Sequence, residues 1–115
     1  MNPADASYPR RGEVWLVSFD PSLGGEIRKT RPAIVISNDT ANGLLNRVQV
    51  VPITSKVARL YPAEAFVTLG GSRRKAMADQ ITTITKARLK RKLGAIDSSD
   101  ISGVEGAVKI QLGID

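Results

Sequence analysis

The sequence contains no histidine and no cysteine. Without histidine, the usual acid–base group of enzymes at neutral pH and the commonest metal ligand are both missing. A serine–histidine triad and a histidine-pair ribonuclease are thereby excluded. Without cysteine there is no disulfide and no thiolate metal site, a composition that suits the cytosol. Aromatic residues are scarce, with one Trp, two Tyr and two Phe. No stretch approaches the ~18 apolar residues of a membrane span. The opening MNPADASYPRRG has no apolar run, so no secretory signal is expected. Acidic side chains are also in short supply, 11 against 17 basic ones.

What remains is an ordinary globule with a basic surface. The 115 residues suffice for one domain and are too few for two. Residues 1–9, with two prolines and no periodicity, read as a flexible tail, and residues 10–115 as a single domain. The net charge of +6 and the pI of about 10.1 favour a polyanionic partner, nucleic acid first. The bland alternative is solubility charge. Clustering favours nucleic acid, because the cations gather at Arg10-Arg11, Arg28-Lys29-x-Arg31, Arg73-Arg74-Lys75 and from Lys86 to Lys92.

Alternation and β-propensity predict a strand from Glu13 to Phe19, with Trp15, Val17 and Phe19 on one face and Val14 and Leu16 on the other. Gly24-Gly25 opens a charged loop, and Pro32 begins a second strand, Ala33–Ser37. A turn with a short helical piece near Leu44-Leu45 leads to a third strand, Val48–Thr54, in which Pro52 marks an edge, bulge or bend. A fourth strand, Ala65–Leu69, a hairpin connection at Gly70–Arg74 and a strand or strand pair over Lys75–Thr85 follow. Thr85–Lys92 reads as a short helix capped by Thr85, and Leu93–Ile96 as a final short strand. Ser98 or Ser99 then caps a helix whose stripe is Ile101, Val104, Val108 and Leu112. The class is mainly β with helices: a small, strongly curved antiparallel barrel plus a C-terminal helix.

Four pieces occur in order: Arg11-Gly-Glu-Val-Trp15 with Phe19-Asp-Pro21; Gly24-Gly-Glu26 leading to Arg31-Pro-Ala-Ile-Val-Ile-Ser-Asn38; Val51-Pro-Ile-Thr-Ser55; and Ala78-Asp-Gln80. Over residues 10–112 this resembles the MazF/PemK toxins. The resemblance implies an SH3-like barrel of the CcdB/PemK kind, a homodimer, and a cytoplasmic mRNA interferase of a type II toxin–antitoxin pair. It further implies metal-independent, cofactor-free cleavage of single-stranded RNA to 2′,3′-cyclic phosphate and 5′-hydroxyl ends, silenced by a MazE-like antitoxin with an acidic flexible tail. Two alternatives from other classes remain: a non-catalytic CcdB-like gyrase poison, and a plain SH3-like nucleic-acid-binding module.

The resemblance assigns catalysis to Arg31 and Thr54. A guanidinium suits charge on a phosphorane-like transition state, because its fork matches phosphate oxygens and stays protonated. Read from the loop alone, an Arg31–Glu26 salt bridge capping the barrel is an equal competitor. Thr54, otherwise an ordinary strand-end residue, could donate to a phosphate oxygen, with Ser55 assisting. Gly24 and Gly25 allow close backbone approach to phosphate. Glu26 could orient Arg31 or contact a ribose hydroxyl. Gln80 stands where relatives contact bases. Lys29, Lys56 and Arg73–Lys75 are phosphate contacts that position RNA without specifying it, or else solvated charges. Trp15 is assigned to packing in the barrel or near a dimer seam rather than to base stacking. The pattern departs from the family at Gly25, often serine, and at Thr82, often basic.

Overall fold

The computed structural model describes residues 8–19 and 29–115. Among these, the strands are β1 Glu13–Phe19, β2 Lys29–Val35, β3 Arg47–Thr54, β4 Glu64–Leu69, β5 Ser72–Met77, β6 Thr82–Thr85 and β7 Leu89–Ala95. Two helices, α1 Asp39–Leu44 and α2 Ser98–Leu112, and two 3-10 turns, Ala78–Gln80 and Lys86–Arg88, complete the described elements. Packing begins at Tyr8 and Pro9, whereas residues 1–7 of the expected tail lie outside the described residues.

All strand pairs are antiparallel, in the order β4-β5-β3-β2-β1-β7 with β6 added to β3. The five-strand path β6-β3-β2-β1-β7 curls until its ends are joined by the three residues Lys86–Arg88. Arg88 fastens this gap by donating to the Ser18 carbonyl at 3.1 Å. β6 pairs only with β3 and β7 only with β1, so the hydrogen-bonded ring is not closed.

Side-chain alternation sorts the core onto two faces. On one, Val14, Ile34, Val51 and Ile53 pack with β4 and with Val104 and Ala107 of α2. On the other, Val17, Phe19, Ala33, Val35, Val48, Val50 and Ile84 form a second cluster flanked by Trp15 and Leu89. The expected faces of β1 are therefore correct. Each buried Val or Ile stabilises the fold by roughly 1.5–3 kcal/mol. That outweighs the roughly 1 kcal/mol each that Gly103 and Gly106 cost α2 in propensity.

The structure corrects the expected elements in three places. No helix forms over Thr85–Lys92: Thr85 ends β6, Lys86–Arg88 make a 3-10 turn, and Leu89–Lys92 join β7. Pairing with β1, in the couples Val17↔Leu89, Leu16↔Arg91 and Trp15↔Lys92, overrides the helix propensity of the Lys/Arg/Leu run. In α2 the cap is Asp97, whose carboxylate accepts from Asp100 N at 2.9 Å. A carboxylate at that position also suits the helix dipole, and so it displaces the serines. Ala107 rather than Leu112 completes the buried stripe, and Leu112 is exposed.

The third correction concerns β2, which begins at Lys29 and not at Pro32. The bonds Gly12 N to Val35 O and Ile36 N to Gln49 O fix which backbone groups face which neighbour. By alternation the nitrogen of Pro32 faces β3, and the β2–β3 ladder stops at Ala33↔Pro52. The β1 side is unaffected and continues through Pro32, Arg31, Thr30 and Lys29. Proline here ends one ladder while leaving the other intact. The nitrogen of Pro52 likewise faces away from β2, at the place where β3 changes partner. β3 pairs β6 through Val50 and β5 from Ile53.

Candidate functional site

Pro32 ends the β2–β3 ladder and leaves a notch in the sheet where β3 changes partner. The β2–β3 register runs Val35↔Val50, Ile34↔Val51, Ala33↔Pro52. Its continuation sets Arg31 opposite Thr54, two steps past the last paired couple. Alternation places both residues on the face of Ala33, Val35 and Val50. Arg31 is exposed and lies across from Val17 on β1, so its backbone is held from that side. Thr54 is half-buried, and its Oγ1 accepts from Lys56 N at 3.2 Å. Its hydroxyl hydrogen is therefore directed elsewhere.

Gln80 reaches the same region by a different route. From Ala76↔Ile53 to Thr82↔Val50 the chain advances six residues while β3 advances three. The 3-10 turn Ala78–Gln80 takes up the excess. Gln80, half-buried at its end, stands alongside the Val51–Pro52 stretch between the two pairings. Ser55 and Lys56 are exposed immediately after Thr54. Lys29 is exposed at the start of β2 with φ +67°, the left-handed region that a lysine rarely adopts. Gly24, Gly25 and Glu26 lie outside the described residues.

Lys75 does not offer itself as a phosphate contact. It is buried, and its ammonium lies 3.0 Å from Glu64 Oε1 and donates to the Arg59 carbonyl at 2.7 Å. Arg73 lies over the Phe66 ring, 3.5 Å from its centroid, so part of its surface is taken by stacking. Trp15 packs against the Val17 cluster and donates its indole N–H to Glu13 at 3.0 Å. Burial pushes the Glu13 carboxyl up. Hydrogen bonds from Arg10 N, Lys92 and Trp15, with the Lys92 charge, more than reverse this and hold it below its ordinary value.

Part of the signature serves folding. Ser37 Oγ and the buried Asn42 amide are joined, Asn42 Nδ2 donates to the Ser37 carbonyl at 2.9 Å, and Asn38 caps α1. Ser37 Oγ also accepts from Gln49 N at 3.0 Å. This network ties α1 to β3 on the far side of the notch.

A depression of about 350 Å³ opens elsewhere, between Tyr61–Glu64, Asp79 and the Ile110–Gln111 end of α2. It does not include Arg31 or Thr54, and its lining lacks the cations that a phosphodiester needs. Among the described residues no three His, Cys, Asp or Glu side chains converge as a metal site, and no helix is long and apolar enough to cross a membrane. The notch pairs a permanent cation of five N–H donors with a hydroxyl, a combination that binds and polarises a phosphodiester. The sequence offered no sign of the Lys75–Glu64 pair beyond a lysine next to the small apolar Ala76-Met77-Ala78.

Residues 10–112 match the family model described as PemK-like, MazF-like toxin of type II toxin–antitoxin system. The chain is 38% identical over 112 residues to Endoribonuclease MazF9 of Mycobacterium tuberculosis, covering 90% of this chain and 95% of that protein. The fold is similar to the crystal structure of MazF from Deinococcus radiodurans, with a TM-score of 0.82 and 28% identity across 93% of this chain and 98% of the other. A MazE–MazF structure from the same organism superposes with a TM-score of 0.72 and 28% identity, across 94% and 98% of the two chains.

Proposed function

The chain belongs to the family of PemK-like, MazF-like toxins of type II toxin–antitoxin systems, and on that footing we propose that it is an endoribonuclease that cuts single-stranded RNA at the Arg31–Thr54 notch. The observation that carries the assignment of the site is the register of β2 and β3. It brings together two residues 23 positions apart, on one face, where the backbone ladder has been ended by Pro32.

The reaction that fits these groups is transesterification. The ribose 2′-oxygen attacks the adjacent phosphorus, the P–O5′ bond breaks, and a 2′,3′-cyclic phosphate and a 5′-hydroxyl result. The proton lost by the 2′-hydroxyl goes to solvent, and the leaving 5′-oxygen gains one. The nucleophile belongs to the substrate, so the protein supplies geometry and charge. Arg31 neutralises the non-bridging oxygens and can share a proton with the leaving oxygen. It serves as a cation and hydrogen-bond donor, not as a base. Thr54 donates its hydroxyl hydrogen to a non-bridging oxygen. Lys29 and Lys56 hold neighbouring phosphates, Ser55 lends a second hydroxyl, and Gln80 reads a base edge with its amide. Gly24, Gly25 and Glu26, outside the described residues, are assigned to RNA binding by the resemblance alone.

The net charge of +6 and the MazE–MazF relative support an acidic antitoxin segment as the natural inhibitor. The exposed Ile110, Leu112 and Ile114 at the end of α2 support a homodimer. Sedimentation as a monomer at micromolar concentration would remove that part of the reading.

The test is incubation of the purified protein with a long single-stranded RNA in EDTA, with Arg31→Ala alongside and the ends mapped. Selective cuts with 5′-hydroxyl ends, lost in the variant, are expected. Intact RNA would overturn the nuclease reading, and stalled gyrase or binding without cleavage would identify what replaces it.

A further inference from the structure

Lys75 on β5 stands in register with Thr54 on β3. Its side chain is only 8% exposed, and that of its partner Glu64 only 10%. Burying two charges is costly, and such a pair is retained only where its remaining hydrogen bonds are used. Here both partners grip the same segment, residues 55–63, which links β3 to β4. The Lys75 ammonium donates to the Arg59 carbonyl at 2.7 Å and lies 5.5 Å from the Tyr61 ring centroid. Glu64 Oε1 accepts from Tyr61 N at 2.8 Å. The bonds Glu64 N to Tyr61 O and Ala78 N to Ala63 O, both at 3.0 Å, hold its end, and its middle is anchored by the pair. Ser55, Lys56, Ala58, Arg59, Leu60 and Tyr61 are all exposed.

The segment in turn touches the notch, because Lys56 N donates to Thr54 Oγ1 at 3.2 Å. Position and hydroxyl direction at Thr54 thus depend on the path of residues 55–61, and that path depends on the buried pair. We propose that Lys75 and Glu64 are positioning residues for RNA cleavage: a buried ion pair that clamps the β3–β4 segment and so orients the Thr54 hydroxyl and the Lys56 cation. The inference rests on the assignment of RNA cleavage to this notch. It separates Lys75 from the neighbouring Arg73 and Arg74, which the sequence presents as one basic run.

A structural role and a positioning role make opposite predictions for removal of both charges. Replacing a whole buried ion pair by groups of similar shape is often neutral or stabilising, whereas removing one partner strands the other. The double variant Lys75→Met with Glu64→Gln should therefore melt no lower than wild type. Its single-turnover cleavage rate should fall roughly tenfold to a hundredfold, the scale of a displaced catalytic group. RNA affinity should change less than the rate. In a Thr54→Ala background the same double change should lower the rate by a clearly smaller factor, since one of the two groups being positioned is gone. The Lys56 amide should exchange faster with solvent in the double variant.

A folded double variant that cleaves at the wild-type rate would overturn the inference, as would an equal loss in the Thr54→Ala background. A double variant that does not fold would also overturn it, by making the pair structural. Wild-type protein inactive on RNA would instead overturn the cleavage reading itself, and this role with it.

Discussion

Arg31 and Thr54 oppose each other across a gap that backbone hydrogen bonding does not bridge. Ala33 and Pro52 are the last paired couple between their strands. Pro32 lacks the N–H that would carry the ladder on, so Arg31 and Thr54 stand beyond the last hydrogen-bonded couple of their strands. The proposed phosphate contact rests on that placement.

Arg31→Ala is expected to lower single-turnover RNA cleavage by roughly two to three orders of magnitude, as for loss of a transition-state donor. The Arg31 side chain belongs to an exposed position at the end of β2, so the melting temperature should stay within a few degrees of wild type. Arg31→Lys should recover only a fraction, because a point charge cannot fork across two oxygens. Full activity of the alanine variant would remove Arg31 from the mechanism.

Thr54→Ala should cost about 1.5–3 kcal/mol of transition-state stabilisation, the range for a hydrogen bond to a charged group. That corresponds to roughly a tenfold to hundredfold loss in rate. Thr54→Ser keeps the hydroxyl and should stay close to wild type. Equal rates for the alanine and serine variants would show that the methyl group, not the hydroxyl, is what matters.

Lys29→Gly should move stability and RNA binding in opposite directions. The left-handed backbone at Lys29 costs an L-residue about 1–2 kcal/mol, part of which glycine returns. Denaturant unfolding should show an unchanged or higher midpoint. The slope of log affinity against log salt on single-stranded RNA should fall by about 0.7 with the loss of one phosphate contact. An unaltered slope would place Lys29 away from the RNA.

Glu13 sets an acid limit on stability. Its carboxyl lies below the ordinary value of 4.5, because hydrogen bonds from Arg10 N, Lys92 and Trp15 outweigh the opposing effect of burial. Ionised Glu13 therefore favours the folded state, fully above 4.5 and less as pH falls through the folded value. The stability difference between wild type and Glu13→Gln should be constant from about pH 6 to 7 and narrow as the pH falls below 4.5. A difference that widens on acidification would contradict this sign.

Local chemistry was enough to read much of this molecule from its sequence. The alternation of β1, the break at Gly70-Gly71 and the α2 stripe through Ile101, Val104 and Val108 depend on neighbours in the chain. Arg31 and Thr54 were singled out by the family resemblance, because local chemistry alone left Arg31 evenly divided between a salt bridge and catalysis and Thr54 an ordinary strand-end residue. What tertiary structure decided was partnership. Leu89–Lys92 became strand because β1 offered an unpaired edge, which no propensity records. Asp97 took the α2 cap from two serines because only its position had the extended backbone. Lys75, one of three consecutive basic residues, went inside because Glu64 and the Arg59 carbonyl were waiting there. Arg31 and Thr54 face each other only through the register of β2 and β3 carried past its last couple, where Pro32 has no N–H to continue the ladder.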